Sequence, residues 1–301
     1  MMFEFTKVEK INLCFKTFSI FVLMGFITTG MKQTDTTRIV FSILGALVLL
    51  FIIAPLMGMF LQTEVPGFIE ATKDKEVISS IRLTLLTSAL GTLFFAILSV
   101  PFSYLLARKD FPLKRLVLGI IDLPVVIPHT AAGIAVLGFI SRGTLVGKAA
   151  DSIGLSLVGH PIGIALAMAF VSIPFLINAA RDGFESVPVR LEQAAMNLGA
   201  SPLRVFFTIS LPLAWRNIVS GMIMMFARGM SEFGAVVIVA YHPMVAPVLI
   251  YERFGAFGLD YARPVAVLFI LVSLVFFVAL RMLSKKSYVG TKKYQIGRAH
   301  V

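Results

Sequence analysis

Apolar residues fall along this chain in long blocks, separated by short polar stretches. Six blocks, at about residues 39–61, 77–107, 116–140, 161–180, 217–240 and 264–283, approach or exceed the roughly 20 residues that cross about 30 Å of hydrocarbon as a helix. Between them lie an acidic polar stretch (62–76), a basic turn (108–115), a small-residue polar stretch (141–160), a punctuated basic stretch (181–216) and a loop (241–263) with Glu252, Arg253 and Asp260. Loops are not tolerated facing lipid, so each polar stretch marks a membrane surface. The pattern predicts an all-α integral membrane protein with six core transmembrane helices. A further apolar run over residues 11–30 precedes them, interrupted by Lys16. As a span it would place Lys7 and Lys10 on the side where basic residues are disfavoured. It therefore reads as an N-terminal hydrophobic extension, interfacial or non-native, over an extra span. Residues 296–301 fit no part of the pattern.

Composition agrees. The 301 residues are 58% hydrophobic and 14% charged, with a mean hydropathy of +0.92. A net charge of +11 would suggest nucleic acid in a soluble protein, but no soluble basic domain is present to bind it. The basic residues instead sort by side. The 108–115, 181–216 and 281–293 stretches hold 13 Lys or Arg, against six in the three stretches that alternate with them. The positive-inside rule then places the 181–216 stretch and the C-terminal tail in the cytoplasm. A single cysteine, Cys14, excludes an internal disulfide, and the four histidines lack metal-ligand spacing.

The stretch 181–212 is more ordered than a connection requires. Pro188 suits a first helical turn, Gly199 a left-handed helix stop, and Ser201-Pro202 a cap and first position. Two short cytoplasmic helices are expected, over about 188–198 and 202–209. Phe206 and Phe207 on such an element call for a partner protein or a membrane surface, or for packing against the ends of the spans.

Charged residues inside spans are costly and so prompt functional hypotheses. Arg228 and Glu232, four apart in the fifth block, share a helix face. They form either a mutually neutralised packing pair or an arginine that offers positive potential to an anion, with Ser231 as a hydroxyl donor. In the third block Asp122 is expected to cap or pair with a base. Pro124 and Pro128 remove ladder bonds, and broken helices line cavities in transporters. His129 and Thr130 follow as candidate pathway or gate residues.

The segment Gln193-Ala194-Ala195-Met196-Asn197-Leu198-Gly199-Ala200, with Phe206, Ile209, Leu211 and Pro212 after it, resembles the EAA loop of ABC importer permeases. Gln193 stands at the family's glutamate, beside Glu192, and Met196 at its usual basic position. The resemblance covers about residues 77–282. Residues 122–129, 178–184 and 227–234 are most similar to the oxyanion branch, molybdate/tungstate permeases first and sulfate permeases next. The resemblance implies the type I importer permease fold, with an extension (1–30), a permease domain (31–284), a coupling loop (182–212) and a cytoplasmic tail (285–301). It implies a multi-pass protein of a prokaryotic cell membrane that moves a tetrahedral oxyanion inward. The implied partners are a second copy of the chain, a dimer of cytoplasmic ATP-binding cassette subunits, an extracytoplasmic oxyanion-binding protein and membrane lipid. It implies no cofactor in this chain, because ATP and magnesium belong to the ATPase, and no Walker A loop occurs here. The implied ATPase-coupling residues are Glu192, Gln193, Ala194, Ala195, Leu198, Gly199, Ala200, Val205 and Phe206. The pathway candidates are His129, Thr130, Arg228, Ser231 and Glu232. An ion-coupled secondary transporter and a membrane scaffold are the competing functions.

Overall fold

The structure is a computed structural model that describes residues 36–286. The extension over 1–30, most of the tail and residues 296–301 lie outside the described residues. Contacts divide the chain into two units, one up to Lys73 together with Phe257–Leu268, the other Asp74–Ala256 together with the residues from Phe269 on.

The first unit holds α1 (Thr36–Gln62) and α2 (Val65–Lys73). Arg263 Nη1 donates to the Gln62 carbonyl at 2.9 Å, and Gly67 lies against the Pro264 ring. Most side chains of α1 are apolar and exposed, as a helix whose solvent is lipid requires.

The second unit is a bundle built around α3 (Lys75–Arg108), α7 (Pro161–Glu185) and α10 (Leu211–Met230), with α7 packed on both of the others. Lipid tails are as apolar as leucine, so such helices associate by close packing and interhelical hydrogen bonds. The buried face of α3 shows this chemistry in Ser80, Thr84, Thr87, Ser88, Gly91, Ser99 and Ser103. Ser88 Oγ donates to the Phe226 carbonyl at 2.7 Å and Ser103 Oγ to the Ile177 carbonyl at 3.2 Å. At Gly91 a Cβ would sit 3.0 Å from the Ala165 carbonyl oxygen, so glycine sets how near α3 and α7 come. α3 runs through Pro101 without a break.

The third predicted span is two helices, α4 (Lys114–Val126) and α5 (His129–Ile140), bent by 112° at residues 127–128. Pro128 disfavours helical backbone at Ile127, which is extended. Short helices α6 (Leu145–Ser152), α11 (Gly234–Val239) and α12 (Ala246–Phe257) also form, the last inside the 241–263 stretch expected as a loop. α13 (Leu259–Lys286) ends the described chain. Five described helices are long and apolar enough to cross a membrane, and counting the bent pair as one broken span makes six. This matches the six expected spans, with two changes. The fifth begins at Pro202 and stops at Met230, where 217–240 was expected, and the third is broken.

Candidate functional site

Two polar clusters in the second unit hold the residues expected to be functional. The first lies where α3 and α7 end. Val187 and Pro188 turn the chain into α8 (Val189–Asn197). Gly199 closes α8 with a φ of +89°. Its N–H donates to the Met196 carbonyl, and the Ala200 N–H reaches back to the Ala195 carbonyl at 3.0 Å. This is the Schellman pattern that the glycine predicted. Ser201 Oγ accepts from the Arg204 N–H and starts α9 (Pro202–Val205).

The expected second short helix is not separate. α9 passes through a π-helical turn, Phe206–Ser210, directly into α10, so the turn after Gly199 opens the fifth span. The Leu211 N–H bonds to the Phe206 carbonyl, five residues back. A proline ring in a regular helix clashes with the carbonyl four residues earlier. The wider turn gives Pro212 room, which is why Leu211-Pro212 does not end the helix.

Glu192 points inward and is 4% exposed. Arg108 Nε donates to both of its oxygens, at 3.0 and 2.9 Å, and Nη2 to Oε1 at 2.7 Å. Ser210 Oγ donates to Oε1 at 2.7 Å and the Tyr104 hydroxyl to Oε2 at 3.3 Å. Burial alone would raise the pKa of this carboxyl. The hydrogen bonds and charge of Arg108, with Ser210 and Tyr104, outweigh burial and hold it below its ordinary 4.5. Beneath it the Tyr104 ring meets Phe184 and Phe206 edge-on, with centroids 5.3 and 5.0 Å away.

The expected coupling residues therefore divide. Glu192, Val205 and Phe206 are buried, and Ala195 and Ala200 are half-buried. Gln193, Ala194, Leu198 and Gly199 are exposed. Leu191, Met196, Leu203 and Phe207 are exposed too, and Leu198 is 89% so. Arg190 and Arg204 are exposed beside them. Arg108, Tyr104 and Ser210 escaped sequence reasoning. Only the basic cluster at 108–115 hinted at Arg108.

The second place is where two helix breaks meet. α5 begins at His129 after the bend, and α11 begins at Gly234 after α10 stops. α11 packs along α5. A Cβ on Gly234 would lie 2.7 Å from that of His129, so glycine permits the approach. Glu232 lies in the second break and is 1% exposed. Its Oε1 accepts from the Ala235 N–H at 2.9 Å. Its Oε2 lies 2.9 Å from Arg228 Nη2 and 3.2 Å from His129 Nδ1. Arg228 Nη2 also lies 2.9 Å from His129 Nε2. The same nitrogen lies 3.1 Å from His129 Nδ1, so the guanidinium sits against the imidazole ring between its two nitrogens and not along the Nε2 lone pair. Arg228 Nη1 reaches Ser231 Oγ at 3.4 Å, and Ser231 and Thr130 are exposed beside the cluster. The expected Arg228–Glu232 pair is present, and His129 joins it. Asp122 pairs with an amide and not with a base: Asn178 Nδ2 donates to it at 2.7 Å. Among the described residues no group of His, Cys, Asp and Glu could hold a metal.

Residues 99–287 match the family model described as "Binding-protein-dependent transport system inner membrane component". The chain belongs to this permease family. The permease is 43% identical over 255 residues to the "Molybdate/tungstate transport system permease protein WtpB" of Methanocaldococcus jannaschii, covering 85% of this chain and 98% of that one. It is 44% identical over 253 residues to the protein of the same name from Thermococcus kodakarensis, covering 83% and 97%. It is 30% identical over 229 residues to a "Probable sulfate transport system permease protein cysT" of Chlorokybus atmophyticus, covering 75% and 80%. Among solved structures, its fold is similar to a chain of a bacterial ABC transporter involved in the import of the polysaccharide alginate, with a TM-score of 0.64 and 20% identity over 82% of this chain and 94% of that one. The permease thus has the type I importer fold, and its apolar helices make it a multi-pass membrane protein.

Proposed function

We propose that this chain is the membrane-spanning subunit of an ATP-driven importer, and that its cargo is molybdate or tungstate. The observation that carries the reading is 43% identity along nearly the whole length of a molybdate/tungstate permease protein, against 30% to a sulfate permease protein. The chain acts as a homodimer, takes its cargo from an extracytoplasmic binding protein and carries the 186–210 end in the cytoplasm. ATP and magnesium bind a separate ATPase dimer. That dimer docks on the exposed face of Leu191, Gln193, Met196, Leu198, Leu203 and Phe207, flanked by Arg190 and Arg204.

The cluster at the two breaks supports a pathway role. His129 and Arg228 expose 43% and 25% of their side chains, and Thr130 and Ser231 are exposed with them. Such groups do not face hydrocarbon, so they face water in a pathway shared with the second copy. Arg228 supplies positive potential, Ser231 and Thr130 supply hydroxyl donors, and Glu232 limits how tightly a dianion is held. A conduit must bind weakly enough to release.

The test is competition. In proteoliposomes with the binding protein and ATPase, unlabelled tungstate is expected to suppress labelled molybdate uptake at equal concentration, and sulfate only at large excess. Equal suppression by sulfate would overturn the cargo assignment.

A further inference from the structure

The carboxylate of Glu192 joins three segments at one point. It stands on α8, takes Arg108 and Tyr104 from the last turns of α3, and takes Ser210 from the π-turn that opens α10. Arg108 Nη2 also donates to the Val187 carbonyl at 3.0 Å, at the entry to α8. The side chains of the pair are 11% and 5% exposed. No surface partner can reach this carboxylate without prising α8 away.

A buried ion pair contributes little net stability over an apolar pair of the same size, because both charges must be stripped of water. It does fix geometry, since three fork hydrogen bonds tolerate little sliding. A π-turn in a membrane helix often marks a functional position, and Ser210 lies at its end. We propose that the Arg108–Glu192–Ser210 cluster is a transmission joint. It locks the ATPase-docking helix α8 to α3 and α10, so that a displacement of α8 reaches the spans undiminished. The inference rests on the docking reading above. Glu192, Arg108 and Ser210 are positioning residues in it, since none meets cargo or ATP.

The test uses the complete complex with its ATPase and binding protein, in a chain with Cys14→Ser. Spin labels at Lys109→Cys and Asn197→Cys, both exposed, report the distance from the end of α3 to α8. With a rigid joint the distance distribution stays the same with and without ATP. In Arg108→Met/Glu192→Leu, which leaves no unpaired buried charge, it broadens and shifts with ATP. The same double variant is expected to hydrolyse ATP while moving roughly tenfold less anion per ATP. If that variant fails to assemble, Ser210→Ala/Tyr104→Phe removes two hydrogen bonds and keeps the ion pair, and is expected to move about half the anion per ATP. An ATP-dependent distance in the native pair, or native anion per ATP in the variant that assembles, overturns the joint. A native chain that fails to hold the ATPase overturns the docking reading and the joint with it. An assembled complex with unaltered coupling overturns the joint alone.

Discussion

Gly199 sits at φ +89° with open space where a Cβ would go. The constraint is therefore on the backbone and not on packing. A side chain there costs about 1–2 kcal/mol, most for β-branched residues. Gly199→Val is expected to lower the melting temperature slightly and to raise the ATP used per anion moved. Gly199→Asn, which tolerates the left-handed region, should stay near native on both. Glu232→Gln keeps an acceptor for the Ala235 N–H and removes the countercharge of Arg228. With Arg228 facing the pathway, the freed guanidinium holds anion longer, so uptake should show a lower KM and a lower maximal rate. A pair that serves packing alone would show less folded protein at an unchanged KM. Residue roles were only partly legible. The i, i+4 spacing of Arg228 and Glu232 is a local property and could be read. His129 and Arg108 are distant in sequence from the carboxylates they meet, and no spacing encodes those meetings.

The elements were more legible, because a span of lipid-facing residues leaves an unbroken apolar signal. Errors fell where two local signals conflict. The second short helix was expected to end at about residue 209, and a π-turn carries it on through Pro212. Residues 246–257 form α12 although Glu252 and Arg253 suggested a loop. Arg253 is held by Asp74 and Glu76 at the start of α3, a distant pairing. At this scale the exposed apolar face around α8 and α9 makes a direct prediction. Leu198→Glu touches no packed neighbour and should leave folding intact. It should weaken retention of the ATPase by roughly tenfold or more, as loss of an interface anchor does, measured by titrating ATPase onto the purified permease.

Over the whole molecule, two carboxyls among the described residues have depressed pKa values, and both lie outside the spans, Glu192 beside α3 and α10 and Asp74 at the start of α3. Asp74 is held down mainly by its hydrogen bond to Arg253, against burial, with the N–H groups of Glu76 and Val77 adding to it. A group whose pKa is lower folded than unfolded adds stability above its unfolded pKa, and that stability is lost as pH falls through the folded value. The melting temperature of the permease in detergent should therefore hold steady above the ordinary 4.5 of Glu192 and drop below it. Arg108→Met/Glu192→Leu should flatten that acid limb, leaving the share due to Asp74. The central claim, a conduit driven by a separate ATPase through α8, is tested most directly by uptake. Proteoliposomes carrying this chain, its ATPase and its binding protein should accumulate molybdate only with ATP inside the ATPase-facing compartment, and should stop when residues 189–206 are replaced by a flexible linker. Accumulation without ATP, or accumulation that survives that replacement, would contradict the account.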